Sequence, residues 1–531
     1  MAHGSGPAFD VAASRLESYQ GAYGRLRPKL EGWSPEGVPE NELDSYFLEF
    51  ANRVMIEEPG QLPRALAARD AQQRRKLDSR IPAGYTYFGQ FIDHDITYDP
   101  ASLTLRSDPR GSRNFRTPRL DLDSVYGRGR EDQPYLYDQR QQEKGKMLIG
   151  EVAGEDFKLR DLPRNAQGRA LIGDMRNDEN AMVSQLHLAF LLAHNALCTR
   201  ARTRGNREPF EAARQTLRWL YQYVVWNDFI PRVTSKEVHQ RALRRVETGN
   251  GRLEWVLGLD HIYSWERQPF MPVEFSAAAY RFGHSMVRNE YETNDRIPGD
   301  GKPVPLLDGG GADHPRDLHG FRPLIASNVI QWNWFLKMTS SPTERGFPQM
   351  ARKIDTKLAN SLAHLHGQEA PMNVLAFRNL KRGCAYGLPA GTALARELGI
   401  EPVRLERGDL DALWFYILRE AESQAGNDQG NRLGLLGSTI VCATFASLLK
   451  SDASSYFSEN PSWTPSDDPL LFSGDDNIDG GEQESRPDRP WTLASIIRIS
   501  GLPISAQDVD DQVRKGQFPD PLRRSPTQEQ R

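Results

Sequence analysis

Apolar residues recur at helical spacing through most of the chain, and strict alternation of apolar and polar residues is rare. The clearest segment is 183–203, where apolar side chains are interrupted by few helix breakers, so that it predicts a long buried helix. The same spacing predicts further helices at 212–232, 322–338, 353–366, 410–422 and 435–449. Segment 253–257 is a candidate for a short strand. The pattern therefore predicts a mainly α fold with very little β structure.

Loops and chain ends suggest a simple division of the chain. Gly, Pro and Asp cluster in segments that are typical of loops, at 98–113, 296–317 and 458–490. We see no internal repeat and no long linker, so we predict one large catalytic domain over 76–511. An extension over 1–75 is expected to pack on this domain, and the residues 512–531 form a polar tail.

Composition and charge exclude several classes of protein. The chain has 531 residues, of which 38% are hydrophobic and 26% charged, and its formal net charge is −4. This balance lacks the basic surface of proteins that bind nucleic acid or an anionic membrane. The three cysteines are far apart in sequence, which argues against a zinc site or a disulfide framework. The motifs of P-loop, dinucleotide-binding, zinc protease and serine hydrolase enzymes are also missing.

The sequence predicts neither a membrane span nor a cleavable signal. The N-terminus lacks a basic region followed by an apolar core, and the apolar stretch 186–198 is too short to cross a bilayer. The localisation is therefore open, and we expect a protein that is cytoplasmic or exported by a non-standard route. The sequence does not define an oligomeric state.

The segment 84–98, GYTYFGQFIDHDITY, concentrates polar residues in an apolar setting. On a helix, Gln90 and His94 are one turn apart on the same face, with Asp93 beside them. Asp95 points about 100° away from His94, so that these two residues can serve different sites. A single histidine here would be interpreted as a core residue, but burying so many polar groups without a function costs several kcal/mol.

Four further motifs follow in the chain, and each contains residues that can bind a ligand or a metal. They are TPRLDLDSVYG at 117–127, RNDEN at 176–180, YRFGHS at 280–285 and RNLKRG at 378–383. Together with the segment 84–98, they resemble the ordered motifs of the animal-type haem peroxidases, the peroxidase–cyclooxygenase superfamily. The chain resembles a bacterial-like member without the animal disulfides, and the resemblance runs from about residue 80 to about residue 500.

The resemblance implies a large helical haem peroxidase fold and an enzyme that reduces hydrogen peroxide and oxidises small organic donors, halides or both through a ferryl intermediate. His94 would move the peroxide proton, Arg176 would stabilise the leaving oxygen, and Gln90 would contact halide and water on the distal side. On the proximal side, His284 would bind the haem iron and Asn379 would bond to His284.

The resemblance also assigns residues around the edge of the porphyrin. Asp93 and Glu179 match carboxylates that form ester bonds to methyl groups of haem b in the family, so covalent attachment is one hypothesis. The alternative is that both are ordinary hydrogen-bonding acids. Arg382 and Arg281 are expected near the haem propionates.

A calcium site is implied on the other face of the first motif. Its ligands would be the hydroxyl and carbonyl of Thr117, the carbonyl of Arg119, and the carboxylates of Asp95, Asp121 and Asp123. An all-oxygen set with three carboxylates suits Ca²⁺. The alternative interpretation of this segment is a solvated acidic turn.

Two other functions remain open. A fatty-acid dioxygenase of the same fold would carry a tyrosine three residues before the proximal histidine, but this position is Arg281, and Tyr280 is one residue off. A non-catalytic, calcium-binding adhesion protein is the second alternative, since the tripeptide RGD ends at Asp409. We interpret Asp409 instead as the N-cap of the predicted helix 410–422.

Overall fold

The computed structural model describes most of the chain, and helices dominate it. The described residues are 21–57, 76–98, 113–140, 144–154, 157–264, 269–295, 303–307, 317–338, 347–365, 367–471 and 490–517. The predicted calcium loop and both predicted histidine sites lie within them, whereas residues 472–489 of the predicted loop 458–490 lie outside. Within this part of the chain, the mainly α fold predicted from the apolar spacing is confirmed.

Helices of very different lengths build the fold. The α-helices of the described residues are Leu43–Phe50, Gly84–Ile96, Asp123–Tyr126, Ala181–Thr203, Pro209–Val224, Ile230–Val233, Lys236–Ala242, Val273–Ser276, Leu375–Ala385, Gly391–Glu397, Leu413–Glu422, Leu435–Ser451, Tyr456–Glu459, Leu493–Ser500 and Ala506–Val509.

The strands are short and form small pairings. They are Gly21–Gly24, Asp78–Pro82, Arg113–Asn114, Gly150–Ala153, Lys158–Asp161, Leu243–Glu247, Leu253–Leu257, Met271–Pro272, Glu290–Tyr291, Val304–Pro305 and Met350–Arg352. The predicted strand 253–257 is confirmed, and it pairs antiparallel with Leu243–Glu247. Strand Gly21–Gly24 joins the N-terminal segment to the rest, because it pairs antiparallel with 113–114 and parallel with 271–272.

Two predicted helices are wrong. Segment 322–338 contains only the short 3₁₀ turns Ala326–Asn328 and Trp332–Trp334. The described part of 353–366 contains only Asn360–Ala363. In both segments the apolar residues are spaced as in a helix because they are buried in the core, and the backbone itself is not helical.

The backbone of the first of these segments bonds to distant parts of the chain. The N–H of Gln331 donates to the carbonyl of Thr293 at 2.9 Å, and the N–H of Trp332 donates to the carbonyl of Pro503 at 2.9 Å. These long-range bonds satisfy the donors that a helix would have satisfied locally. Sequence spacing alone does not distinguish the two outcomes.

The expected helix cap at Asp409 is also wrong. The helix begins at Leu413 and its N-cap is Ala412. Asp409 accepts hydrogen bonds from the N–H of Glu406 at 2.9 Å and from the guanidinium of Arg419 at 2.8 Å. Its carboxylate therefore closes the turn before the helix and ties that turn to the helix side.

The helix Ala181–Thr203 forms the centre of the core. Its most extensive helix contacts are with Pro209–Val224, Leu493–Ser500 and Gly84–Ile96. By length and composition it could cross a membrane, and 94% of its apolar window is buried inside the protein, as expected for a core helix. This helix is longer than the apolar stretch 186–198 identified in the sequence, because its first and last turns add small and polar residues at both ends.

The helix Gly84–Ile96, called here the distal helix, is buried along its whole length. Its ring of Phe91 stacks on Phe190 of the central helix, with the ring centroids 4.5 Å apart. At its start, a Cβ on residue 84 would lie 2.8 Å from the carbonyl oxygen of Phe335, so only glycine permits this close approach. At its end, the N–H of Thr97 donates to the carbonyl of Asp93 at 2.8 Å.

Candidate cofactor site

The distal helix presents His94 to an asparagine on a separate segment. Nδ1 of His94 lies 2.8 Å from Oδ1 of Asn177, and an amide oxygen can only accept. His94 therefore donates from Nδ1, and Nε2 of the neutral ring carries no proton. The other end of the Asn177 amide donates from Nδ2 to Nδ1 of His187 at 2.9 Å.

Burial keeps the His94 imidazole neutral. The side chain is fully buried, and burial together with the nearby charge of Arg176 lowers the pKa of His94 to about 3. Burial likewise lowers the pKa of His187 to about 3. At neutral pH, both rings can accept a proton at one nitrogen and donate one from the other.

Arg176 anchors the end of the distal helix. Its Nη2 donates to the carbonyl of His94 at 2.9 Å and to that of Thr97 at 2.7 Å. The same guanidinium pairs with Asp174 at 2.7 Å and lies over the ring of Tyr98 at 4.6 Å. The predicted catalytic arginine is thus adjacent to His94, although these bonds join it to the backbone of that residue.

A second arginine extends this ion pair toward the acidic loop. Arg116 donates from Nη2 to Asp174 at 2.5 Å, and its Nη1 lies 3.2 Å from Oδ1 of Asp123. Burial raises the pKa of the Asp174 carboxyl, but Arg176 and Arg116 outweigh it and hold that pKa well below its usual value. Asp174 therefore stays charged and connects the distal side to the loop 117–127.

The remaining distal residues named by the sequence also come together. Gln90 donates to Glu179 and accepts from Asn180 at 3.2 Å. Oε1 of Glu179 lies 4.0 Å from Nε2 of His94. Asp93 is buried, which raises its pKa, and accepts from the hydroxyl of Thr97 at 2.9 Å.

The proximal segment forms a 3₁₀ turn, Ala279–His284. Asn379 donates from Nδ2 to Nδ1 of His284 at 2.7 Å, and its Oδ1 accepts from Arg281 at 3.5 Å. Trp414 supports the turn from the helix Leu413–Glu422, since its indole N–H donates to the carbonyl of Arg281 at 3.2 Å. Because Asn379 contacts Nδ1, Nε2 is the nitrogen of His284 that would bind a metal, and such binding would require the proton to lie on Nδ1 with the Asn379 oxygen facing it.

Three arginines lie close together on the proximal side. Burial and the charge of Arg382 lower the pKa of Arg281 to about 9 and the pKa of Arg378 to about 10. Carboxylates partly oppose them, because Asp93 interacts with Arg281 and Glu179 with Arg378. Buried guanidinium groups that repel one another favour an anionic partner.

The distal and proximal sides of the site contact each other. The distal helix packs directly against the proximal turn, and the charges of Asp93 and Arg281 interact between them. Two buried imidazoles, with carboxylates on one side and arginines on the other, form a donor set that fits haem. The imidazole supplies an axial ligand, and the arginines suit the propionates.

The opposite face of the distal helix carries an acidic cluster. Oxygen atoms of Asp95, Asp121 and Asp123 all lie within 4.8 Å of one another. Asp95 also accepts from the hydroxyl of Ser124 at 2.9 Å. Burial and Asp121 raise the pKa of Asp95 to about 7. Three carboxylates gathered in this way fit a hard divalent cation such as Ca²⁺.

The other predicted calcium ligands lie on the same loop. The hydroxyl of Thr117 donates to Asp121 at 2.8 Å, and the carbonyl of Thr117 accepts from the N–H of Arg119 at 2.8 Å. The side chain of Arg119 is exposed, and the role of its carbonyl as a ligand stays a prediction. Leu122 adopts a left-handed conformation with φ of 60°, which turns the acidic loop around the carboxylate of Asp95.

Several residues that hold this site together were not predicted from the sequence. Asn177 follows Arg176 directly, Asp174 precedes it by two residues, and His187 lies on the central helix. Arg116 and Arg378 were given no role. The pattern G-D-x-R-N at 173–177 was the available signal, because an aspartate two residues before a buried arginine is its natural partner.

Known proteins are similar to this chain in sequence and in fold. A sequence model of the animal haem peroxidase family matches residues 101–405, which is more than half of the chain. The chain belongs to the animal haem peroxidase family. The matched region includes Arg176, His284 and Asn379, while His94 lies just before it.

Individual relatives of this chain are also named as peroxidases. Heme peroxidase 2 of Caenorhabditis elegans is 24% identical over 362 residues, which are 56% of this chain and 47% of the relative. The chain spans about half the length of the curated relatives it matches. The family and its named peroxidases support an oxidoreductase of the haem peroxidase class.

Two solved structures share the fold. Peroxidase A from Dictyostelium discoideum superimposes with a TM-score of 0.54 at 14% identity, covering 96% of this chain and 95% of that one. The fatty acid alpha-dioxygenase of Oryza sativa has a TM-score of 0.53 at 15% identity, covering 91% of this chain and 80% of that one. Because both classes adopt it, the fold alone does not distinguish a peroxidase from a dioxygenase.

Proposed function

We propose that this protein is a haem-dependent peroxidase that reduces hydrogen peroxide and oxidises small organic donors, halides or both. The observation that carries the proposal is the pair of buried imidazoles, His94 and His284, each bonded at Nδ1 to an asparagine amide. His94 would serve as the proton acceptor and His284 as the metal ligand.

His284, Arg281 and Arg382 would hold the haem, the first through Nε2 and the arginines through the propionates. Bound haem supplies the redox-active iron that takes up the oxidising equivalents of peroxide. Asn379 would orient His284 and adjust its donor strength through the bond to Nδ1. Asp93 and Glu179 would form ester bonds to the cofactor and hold it permanently.

His94 acts as the proton carrier in this proposal. Its Nε2 takes the proton from one oxygen of hydrogen peroxide and returns it to the other oxygen, which leaves as water. Because burial lowers the pKa of His94 to about 3, the ring is neutral and ready to accept over the whole physiological range. Arg176 would stabilise the negative charge that develops on the leaving oxygen, and Gln90 would contact water or halide.

We also propose that Ca²⁺ occupies the acidic cluster behind the distal helix. Asp95, Asp121 and Asp123 would each give a carboxylate, and Thr117 and Arg119 would complete the oxygen shell. Burial and the charge of Asp121 raise the pKa of Asp95, and the cation would offset the repulsion between these carboxylates. Its expected role is to fix the helix that carries His94.

Absorption spectra before and after addition of peroxide test the proposed enzyme. The purified protein should bind haem with the spectrum of a histidine-ligated ferric iron, and peroxide should convert it to an oxidised form. His94→Ala should keep the ferric spectrum and lose the conversion. His261→Ala is the matched control, since this histidine is exposed. A colourless protein that cannot be reconstituted with haem would contradict the proposal.

Two further measurements test the cofactor details. Acidic organic solvent should leave haem attached in the wild type and release it in the double variant Asp93→Asn, Glu179→Gln. Complete release from the wild type would contradict the ester bonds. Oxygen uptake with a long-chain fatty acid, without added peroxide, would instead favour the dioxygenase activity.

A further inference from the structure

The amide of Asn177 lies between two buried imidazoles. Its Oδ1 accepts from Nδ1 of His94, and its Nδ2 donates to Nδ1 of His187, with distances of 2.8 and 2.9 Å. Asn177, His94 and His187 are all fully buried. Water therefore does not compete for these bonds, and each bond fixes the position of a proton.

Such a chain has two self-consistent arrangements. In the first, which the structure has, the amide oxygen faces His94, so that His94 is protonated at Nδ1 and His187 at Nε2. In the second, the amide is turned by half a rotation, and His94 is protonated at Nε2 instead. Only the first leaves Nε2 of His94 able to accept the proton of peroxide.

We infer that Asn177 and His187 are positioning residues that fix the tautomer of His94 with Nε2 unprotonated. The inference rests on the proposed function and deepens it. A neutral imidazole with the wrong tautomer is a poor base, and in other enzymes this defect alone costs up to about 10⁴-fold in rate. The tautomer of His94 is thus determined by residues outside the distal helix.

Both partners are held rigidly enough for this role. Asn177 belongs to the short turn Met175–Asp178, where its N–H donates to the carbonyl of Asp174 at 3.0 Å. His187 belongs to the central helix, and its ring packs against the edge of Phe91 with centroids 6.1 Å apart. Neither residue was assigned a catalytic role from the sequence.

The tautomer can be measured directly in the unchanged protein. We would record nitrogen NMR spectra of the full-length, haem-loaded ferrous carbon monoxide complex, which is diamagnetic, with isotopically labelled histidine. His94 is identified by its missing signals in His94→Gln. The inference requires a protonated Nδ1 and an unprotonated Nε2, and the reverse assignment would overturn it.

Substitutions at Asn177 separate positioning from packing. Asn177→Ala removes the acceptor and should slow the reaction with hydrogen peroxide about 100-fold. Asn177→Asp offers an oxygen to His94 in either orientation and should stay within about tenfold of the wild type. A merely structural role predicts the opposite order, because a buried charge disturbs packing more than a small cavity does.

A matched control and a second variant complete the test. Asn195→Ala removes an amide of the central helix that bonds to the backbone of Met147, at 2.7 and 3.0 Å, and it should leave the peroxide rate unchanged. His187→Phe should give a mixture of both His94 tautomers in the NMR spectrum. A single, unchanged tautomer in His187→Phe would overturn the role of His187.

Failure of the proposed function gives a different result. If the protein binds no haem, the proposed enzyme is contradicted, and the tautomer of His94 is then measured in the cofactor-free full chain. If haem binds and His94 is protonated at Nε2, the enzyme stands and only the role of Asn177 and His187 is overturned.

Discussion

The distal and proximal imidazoles are both held by an asparagine, but the two amides point in opposite directions. Asn177 turns its oxygen toward His94 at 2.8 Å, whereas Asn379 turns its nitrogen toward His284 at 2.7 Å. The distal ring is therefore protonated at Nδ1 and the proximal ring at Nε2. The difference follows from the neighbours, because His187 accepts from Asn177 while Arg281 can only donate to Asn379.

The two sides therefore differ in whether their hydrogen bonds must rearrange before they can perform the proposed function. The distal side already has the tautomer that a proton acceptor needs. Iron binding at Nε2 would require a change on the proximal side, because the proton would have to lie on Nδ1 and the Asn379 amide would have to turn its oxygen toward His284. We expect Arg281 to release that oxygen as it pairs with a propionate.

The largest expected effect comes from removing the distal base. His94→Ala should lower the rate constant with hydrogen peroxide about 10³-fold, because proton transfer loses its carrier. Stopped-flow absorption measures this rate, and haem content should be unchanged. Equal losses of rate and of haem would show that His94 supports the fold instead of the reaction.

The second largest expected effect is the loss of stability when the buried charge of Asp174 is removed. Asp174→Asn should lower the free energy of unfolding by about 3 kcal/mol, because it leaves Arg176 and Arg116 without their shared partner. Denaturant unfolding measures the loss, and Glu211→Gln, in the exposed pair with Arg214, should change stability by about 0.5 kcal/mol or less.

The pH dependence of this loss has a defined sign. The folded pKa of Asp174 is held below its unfolded value, so its stabilising contribution is complete above the usual aspartate pKa of about 3.9 and disappears as pH falls through the folded pKa. The stability difference between wild type and Asp174→Asn should thus be constant from pH 7 down to about pH 5 and shrink only in strong acid. A difference that already vanishes at weakly acidic pH would contradict a charged Asp174.

A smaller effect sharpens the comparison on the proximal side. Asn379→Asp should lower the reduction potential of the bound iron, because a carboxylate accepts more strongly from Nδ1 and makes His284 a stronger donor. Asn379→Leu should raise it, and activity should fall about 10-fold in either variant. Spectroelectrochemical titration measures the potential, and equal potentials in all three proteins would contradict the predicted contact.

The smallest expected effect concerns the support of the proximal turn. Trp414→Phe removes the indole bond to the carbonyl of Arg281 but keeps an aromatic ring in the core. Stability should fall by about 1 kcal/mol, measured by thermal unfolding, with little change in the peroxide rate. A much larger loss of rate would mean that Trp414 acts on His284 more directly.

Local patterns made part of the site predictable. The distal helix and the acidic loop are contiguous motifs, and helical period alone separates His94 from Asp95. The structure agrees with this separation, since His94 contacts Asn177 while Asp95 contacts Ser124. These features depend on neighbours in sequence, which a single chain displays.

The rest depends on contacts between distant segments. Nothing local in the sequence pairs Asn177 with His94, or Arg116 with Asp174. Amide orientation is decided by third residues, His187 and Arg281, and so lies beyond motif comparison. The same limitation explains the wrong helix at 322–338, whose backbone bonds to distant carbonyls.

The adjacency of His94 and Asp95 has a consequence for how this family can diverge. A deletion or insertion of one residue within Gly84–His94 rotates everything beyond it by about 100°, so it would misdirect the imidazole and the carboxylate in a single event. Point substitutions can erase either site separately, but a change of length before His94 cannot relocate one of them and spare the other. Both sites can therefore be changed independently only by substitution of side chains, with the length of the helix before His94 kept fixed.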